Sequence, residues 1–328
     1  MLIDRMAAEL GFARNAILEF ARRATHLYKT YTIKKRGSED RRIISHPARE
    51  LKVLQKWLAT RLFHKLPVHD CVYSYRIGVS IGEHANIHRT QRYLLRVDLA
   101  DFFPSITQAA IRQLLHANAV RFAPPLSEHD IELILRIVCK GNALTIGAPS
   151  SPILSNAVLY PFDLAWADRA RSSQVIYTRY ADDLYFSTNV PNLLAQILKD
   201  MPASLRALAP LSLRINTAKT TFTSKKRKRV VTGLVLTSTD RLSVGRAQKR
   251  YIRSLVQRFA NGALSPEDVS YLKGYLSYVA NVEPTFLGSL ARKYGEPALT
   301  RIANVPNAPR KVHALRHQRF PLAKRPST

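Results

Sequence analysis

Acidic side chains are scarce in this chain. Its 23 Asp and Glu stand against 51 Lys and Arg, a formal net charge of +28. Self-repulsion of that size opposes a compact state unless a polyanion is the working partner. Nucleic acid fits best, because pairing cations with phosphates releases condensed counterions. An anionic membrane surface would call for a dedicated basic amphipathic helix or a lipidation site, whereas these cations are spread along the whole chain. Cysteine is almost absent. Cys71 and Cys139 occur without a CxxC or a Cys/His cluster, which argues against a disulfide scaffold or structural zinc and makes a reducing cytoplasm the expected compartment. Long apolar runs are missing too, and none approaches the roughly 18 to 20 residues that a membrane span requires. The N-terminal MLIDRMAAELGFARNAILEFARRA holds Asp4 and Glu9 inside an amphipathic pattern, so a helix of the mature protein is expected there and not a signal peptide.

Hydrophobic residues make up 46% of the chain, enough to bury a substantial core. No internal repeat and no low-complexity linker interrupts it. The spacing of Ala7, Leu10, Ala13, Ile17, Phe20 and Ala21 predicts a helix over residues 5 to 28. Thr30 to Pro47 reads as a short hairpin, Leu51 to Leu62 as helix, and Tyr93 to Leu99 as a half-buried strand ending at a carboxylate. Helices are expected near 107 to 118, 127 to 139 and 191 to 207, and a long one over Ser151 to Arg171 that Pro161 should kink or break. VIYTRYADDLYFST reads as two strands around a tight acidic turn, while LSLRINTAKTTFT and RVVTGLVLT each read as strands. Helical patterns dominate from about 245, and no acidic residue follows Glu296. Strands and helices mixed through 235, then a basic helical part, suit an α+β catalytic unit with a helical appendage.

Joining nucleotides calls for two divalent cations roughly 3.5 to 4 Å apart, one at the attacking hydroxyl and one on the triphosphate. Magnesium takes one or two carboxylates plus phosphate oxygens, so a small acidic cluster on a rigid turn is the feature to seek. Asp98 closes a strand, and Asp182–Asp183 sit at a hairpin tip between VIYTRY and LYFST. An isolated Asp-Asp is most often a solvated turn former. In a chain so poor in acids, a doublet displayed by two β-rich runs points to metal chemistry instead.

Tyr180-Ala-Asp-Asp183 resembles the YxDD box of reverse transcriptases, and Asp98-Leu-Ala-Asp-Phe-Phe103 with Pro104-Ser-Ile resembles their first catalytic motif. Gly147-Ala148-Pro-Ser-Ser-Pro152 is similar to the loop that shapes the nucleotide site, and Arg214-Ile-Asn-Thr-Ala-Lys219-Thr220 to the motif whose Lys approaches the triphosphate. Val231-Thr232-Gly233, the segment Ser80 to His88, Lys34-Lys35-Arg36-Gly37 with Arg41-Arg42-Ile43, and Gly274 to Tyr278 resemble the bacterial retron branch. The resemblance covers residues 30 to 295. It departs at Leu144-Thr145-Ile146-Gly147, where Leu-Pro-Gln-Gly is usual and Ile146 lacks the hydrogen-bonding groups of Gln, and at His84, which stands where Asn is usual.

The resemblance implies a right-hand polymerase with interleaved fingers and palm over 30–235, a helical thumb over 236–300, an N-terminal helical extension over 1–29 and a basic arm over 301–328. It implies that Asp98 and Asp182 hold two Mg2+ ions, with Mn2+ as a substitute, and that the Leu99 carbonyl completes one shell. Asp183 is either a ligand of the catalytic metal or a carboxylate behind it, and Asp101 is not a ligand. Lys35 and Arg42 are candidates to clamp the triphosphate beside Gly147, Ala148 and Lys219. Phe103 is either the ring that excludes a 2′ hydroxyl or an ordinary core residue. His84, Asn86, His88, Thr232 and Gly233 are expected on RNA, the histidines alternatively serving as structural groups. The run Lys225, Lys226, Arg227, Lys228 and Arg229 is expected to contact phosphates and is otherwise a solvated loop. A retron enzyme would bind one structured non-coding RNA, prime from an internal 2′ hydroxyl and copy part of it into single-stranded DNA. Host ribonuclease H would remove template, and a separately encoded effector would act in antiphage defence. The rivals are another bacterial reverse transcriptase class (intron-encoded, diversity-generating or abortive-infection) or an inactive palm kept as an RNA scaffold.

Overall fold

The computed structural model describes residues 1–34, 39, 41–208 and 210–306; Lys35 and the basic arm beyond 306 lie outside them. Two helices open the chain, α1 (Leu2–Leu10) and α2 (Arg14–Arg22). The single helix expected there is broken at Gly11, which turns left-handed at φ 69° and caps the Ala7 carbonyl with its amide. Strands β1 (Tyr28–Lys34) and β2 (Arg41–Pro47) then pair antiparallel, Tyr28 opposite Pro47 and Lys34 opposite Arg41. Helix α3 (Arg49–Arg61) follows, and α4 (Ile81–His88) starts on a reciprocal capping box between Ser80 and Glu83.

Strand β3 (Tyr93–Ala100) leads to α5 (Gln108–Ala117) and α6 (Glu128–Val138). The long helix expected next is two, α7 (Ser151–Val158) and α8 (Tyr160–Ser172), divided at Leu159 just before Pro161. Strands β4 (Ile176–Tyr180) and β5 (Asp183–Thr188) form the acidic hairpin, followed by α9 (Leu193–Arg206) and β6 (Arg214–Ser224). RVVTGLVLT is not one strand. It is a hairpin of β7 (Arg229–Val231) and β8 (Leu234–Leu236), turned by Thr232 and Gly233 at φ 46° and 86°. A two-residue turn with both φ positive matches the strand twist. β9 (Leu242–Ser243) completes this small sheet before α10 (Arg246–Ala260), α11 (Pro266–Val282), α12 (Pro284–Tyr294) and α13 (Glu296–Asn304).

The larger sheet has the order β4-β5-β3-β6, antiparallel throughout. Strand alternation sorts its side chains into two environments. Leu95, Val97 and Leu99 of β3, with Leu184 and Phe186 of β5, enter a core shared with α1–α3 and α5–α9. Leu94 and Tyr185, on the opposite face, join a second core with Ala85 of α4, the β7–β8 hairpin and α10–α13. Arg96, Asp98 and Asp183 share that second face, so the acidic patch lies where the sheet passes from one core to the other.

Beneath the acidic turn sits a buried polar network. Arg179 of β4 and Asp163 of α8 are both completely buried and form a forked ion pair, with Nη2 to Oδ2 at 2.6 Å and Nε to Oδ1 at 2.8 Å. Tyr177 donates its hydroxyl to Asp163 at 2.8 Å. Arg179 Nη1 reaches Asn156 Oδ1 and the Ala181 carbonyl, both at 3.2 Å, and Ser74 Oγ accepts the Ala181 amide at 2.7 Å. Ala181 is left-handed at φ 55°, a conformation costing a non-glycine residue roughly 1–2 kcal/mol, and this network holds it there. Asp163→Ala strands a buried guanidinium, so chemical denaturation should show a loss of about 3–5 kcal/mol. A loss below about 1 kcal/mol would show that the pair does not support the turn.

Candidate active site

Asp98 of β3 lies directly opposite Asp183 of β5, and Asp182 occupies the turn beside Ala181. The Leu99 amide donates to the Asp182 carbonyl at 2.9 Å, lacing the turn to β3. Burial raises the Asp182 carboxyl above its ordinary range, and the nearby Asp98 charge adds to this. Asp183 is pushed up to about 6 by burial; Arg96 opposes the rise, while Asp182 and Asp98 reinforce it. Three carboxylates therefore feel one another across one patch.

Cations of the chain meet two of these carboxylates. Lys219 Nζ stands 3.3 Å from both Asp98 oxygens. It gets there through a bulge: between the pairs Arg96–Thr221 and Asp98–Asn216, residues 217–220 of β6 face Val97 alone. Arg96 forks onto Asp183 at 2.9 and 3.0 Å. Among the described residues no three His, Cys, Asp or Glu side chains together form a metal-holding group. The coupled carboxylates are still the hard oxygen donors magnesium takes, one or two from protein and the remainder from phosphate and water. The donor set fits a divalent ion. Arg42 is exposed on β2, and its charge acts on Asp182.

The β1–β2 hairpin is tied by main chain to the loop at Ile146 and Gly147, where the sequence resembles a nucleotide loop. Ser45 donates its amide to the Ile146 carbonyl at 2.8 Å. Gly147 has φ +112°, and a Cβ there would sit 2.8 Å from the Ser45 carbonyl, so both conformation and space demand glycine. Ala148 is buried beside it. Phe103 is half-buried, edge-on to Phe102 at 5.3 Å, and packs against the main core.

Several residues expected on RNA are occupied elsewhere. His84 and His88 are completely buried on the inner face of α4. Both Nε2 atoms lie 2.7 Å from Thr178 Oγ1, and His88 Nδ1 lies 2.7 Å from Ser187 Oγ. With both rings neutral the three bonds form one chain that can run in either direction, from His84 Nε2–H through Thr178 and His88 to Ser187, or from the Ser187 hydroxyl through His88 and Thr178 to His84 Nε2. This makes them structural groups that cannot reach an RNA. Arg229 is likewise buried, its guanidinium donating to the Gln91 and Thr237 carbonyls. Lys225 pairs with Asp240 at 2.7 Å, leaving Lys226, Arg227 and Lys228 exposed. Thr232 turns inward, its hydroxyl to the Ile81 carbonyl at 3.4 Å and its amide to Tyr185 Oη at 3.3 Å. Asn86 and Gly233 are exposed. Sequence reading missed Arg96, although its place two residues before Asp98 puts it on the same strand face. It also missed Tyr75, a partly exposed residue at φ 57° whose phenol is raised by partial desolvation and then by the Asp182 charge. No sequence signal marks Tyr75.

Residues 33–253 match the family described as reverse transcriptase (RNA-dependent DNA polymerase). Retron Ec83 reverse transcriptase of Escherichia coli is 36% identical over 295 residues, covering 87% of this chain and 92% of that protein. Retron Ec86 reverse transcriptase of the same organism is 31% identical, covering 84% of each chain. The chain belongs to the reverse transcriptases, and within them to the retron type. It is an RNA-directed DNA polymerase of right-hand fold, working on an RNA template and deoxynucleoside triphosphates in a family that uses divalent metal ions. No helix among the described residues is long and apolar enough to cross a membrane.

Two outcomes follow from the corrected residues. Burial lowers His84 to about 3, so its neutral form stabilises the fold above the unfolded value of about 6.5, and that contribution drains away as pH falls toward 3. The stability gap between wild type and His84→Asn should therefore shift against wild type by about 1.4 kcal/mol per pH unit below 6.5. Taking the difference cancels the opposite trend of Asp183, and a gap independent of pH would refute the assignment. Separately, changing Lys226, Arg227 and Lys228 together to Gln should flatten the plot of log RNA affinity against log salt, by about 0.7 to 0.9 for each phosphate that the variant leaves unneutralised. An unaltered slope would return them to a solvated loop.

Proposed function

We propose that this enzyme binds one structured non-coding RNA, starts from an internal 2′ hydroxyl of that RNA and copies part of it into single-stranded DNA by two-metal-ion catalysis. The observation that carries the reading is the sheet face on which Asp98, Asp182 and Asp183 interact while Lys219 and Arg42 stand at its rim. Asp98 and Asp182 are the residues that would hold the ions, with the Leu99 carbonyl beside them. Bound there, magnesium would supply a Lewis acid for the attacking hydroxyl and for the triphosphate. The chain's own work is placement. The network under Ala181 fixes the turn, Lys219 gives a mobile cation that can pass from Asp98 to a phosphate, and Arg42 adds a forked donor. Gly147 lets the hairpin close onto the nucleotide loop. Lys35 would join the phosphate clamp, and Phe103 would crowd a 2′ hydroxyl. Domain limits of 30–235 for fingers and palm and 236–300 for the thumb accompany this reading. So do host ribonuclease H, a separately encoded effector and a role in antiphage defence.

Retron-type priming is favoured over an intron-like mechanism by likeness to retron proteins across most of both chains. A tethered primer replaces a diffusing one, so one start site should dominate. Expressed with its native flanking DNA, the protein should copurify with DNA of one discrete length. Its 5′ end should stay joined to RNA after protease treatment, or be a single trimmed end. Asp182→Asn should abolish the DNA and leave RNA binding within a few-fold. DNA begun at many positions, or only from added 3′ primers, would refute retron priming while leaving the polymerase intact.

A further inference from the structure

Asp183 is held at both oxygens. Arg96 Nε meets Oδ1 at 2.9 Å, Arg96 Nη2 meets Oδ2 at 3.0 Å, and the Tyr185 hydroxyl meets Oδ2 at 3.4 Å. Tyr185 Oη in turn accepts the Thr232 amide at 3.3 Å, and Thr232 donates its hydroxyl to the Ile81 carbonyl at the start of α4. All of this lies on one sheet face: Arg96 is two residues before Asp98, and Asp183 is directly across from Asp98. A forked guanidinium is matched to both oxygens of a carboxylate in a way a point-charge ammonium is not. Asp98 is different. Its one cationic partner among the described residues is Lys219, an exposed side chain at 3.3 Å, which a stronger cation can displace. Asp182 carries no ion pair among the described residues.

We propose that Arg96 is a positioning residue that locks Asp183 out of the metal shell, leaving Asp98 and Asp182 as the carboxylates that face the ions. The Thr232 turn supports the lock through Tyr185, which ties the β7–β8 hairpin to the active site. Asp183 then acts through Arg96. It supplies negative charge behind the site and keeps a guanidinium from folding onto Asp98. Freed from Arg96, Asp183 would become a third strong ligand, so the site would bind a divalent ion more tightly and in a worse arrangement for turnover. This rests on Asp98 and Asp182 being the metal ligands.

The test is direct Mn2+ binding, read by the electron paramagnetic resonance of free Mn2+ with the full chain on its RNA and without nucleotide. Arg96→Gln should bind Mn2+ on the order of tenfold more tightly than wild type, while kcat for primer extension falls. Arg96→Lys should lie between, because an ammonium restores the charge without the fork. In an Asp183→Asn background the Arg96→Gln gain should vanish. A purely structural ion pair would lower the melting temperature of Arg96→Gln and leave Mn2+ affinity unmoved. That result overturns the proposal, as does a gain that survives in Asp183→Asn. Should Arg96→Gln fail to fold, Arg96→Lys decides, and Mn2+ binding equal to wild type there overturns the lock. Asp98→Asn reports on the underlying reading: unchanged Mn2+ binding in that variant would remove Asp98 from the ligand set, independently of Arg96.

Discussion

Water does not reach the ion pair from which the acidic turn hangs. Asp163 and Arg179 are both completely buried, and Arg179 Nη1 is aimed at two neighbours of the turn: Asn156, and the carbonyl of Ala181 itself. Such a pair contributes little net stability compared with an apolar replacement, since both charges are desolvated. What it confers is direction. A guanidinium fixed by α8 leaves the hairpin a single way to turn, and the strained Ala181 persists because the surroundings determine it from several sides. The carboxylates one and two residues further on inherit that orientation.

A second constraint is the sharing of one sheet by two cores. The alternation along β3 sends Leu95, Val97 and Leu99 to one side and Leu94, Arg96 and Asp98 to the other. Ala85 of α4, the β7–β8 hairpin and α10–α13 thus share one core with the sheet face that carries the chemistry, and Tyr185 is at once a residue of that core and a neighbour of Asp183.

Much of this was legible in the residues. The strand ending at Asp98 and the Asp182–Asp183 turn were marked by local pattern, because chemistry and strand period coincide there, whereas the Gly147 loop and Lys219 were marked only by resemblance to family motifs. The break at Gly11 was missed because the apolar spacing of α2 continues that of α1, and spacing does not register a left-handed cap. RVVTGLVLT was read as one strand because Thr232 is β-branched and its positive φ has no composition signal. The histidines misled for a related reason. In so basic a chain an imidazole suggests RNA, yet His84 and His88 turn inward from α4 against Thr178 and Ser187, which stand about a hundred residues away in sequence. Arg229 sits inside a run of cations, and only the tertiary fold distinguishes it from Lys226 or Lys228.

The tie between Ser45 and Ile146 joins main chain to main chain. Side-chain identity at 146 does not enter it, so the loop can keep its place against the hairpin with an isoleucine where an amide is usual. Gly147 is the opposite case, since the nearness of the Ser45 carbonyl leaves no room for even one more carbon. Two adjacent residues therefore live under opposite rules. One can change its side chain without disturbing the frame, and the other is a fixed point of that frame.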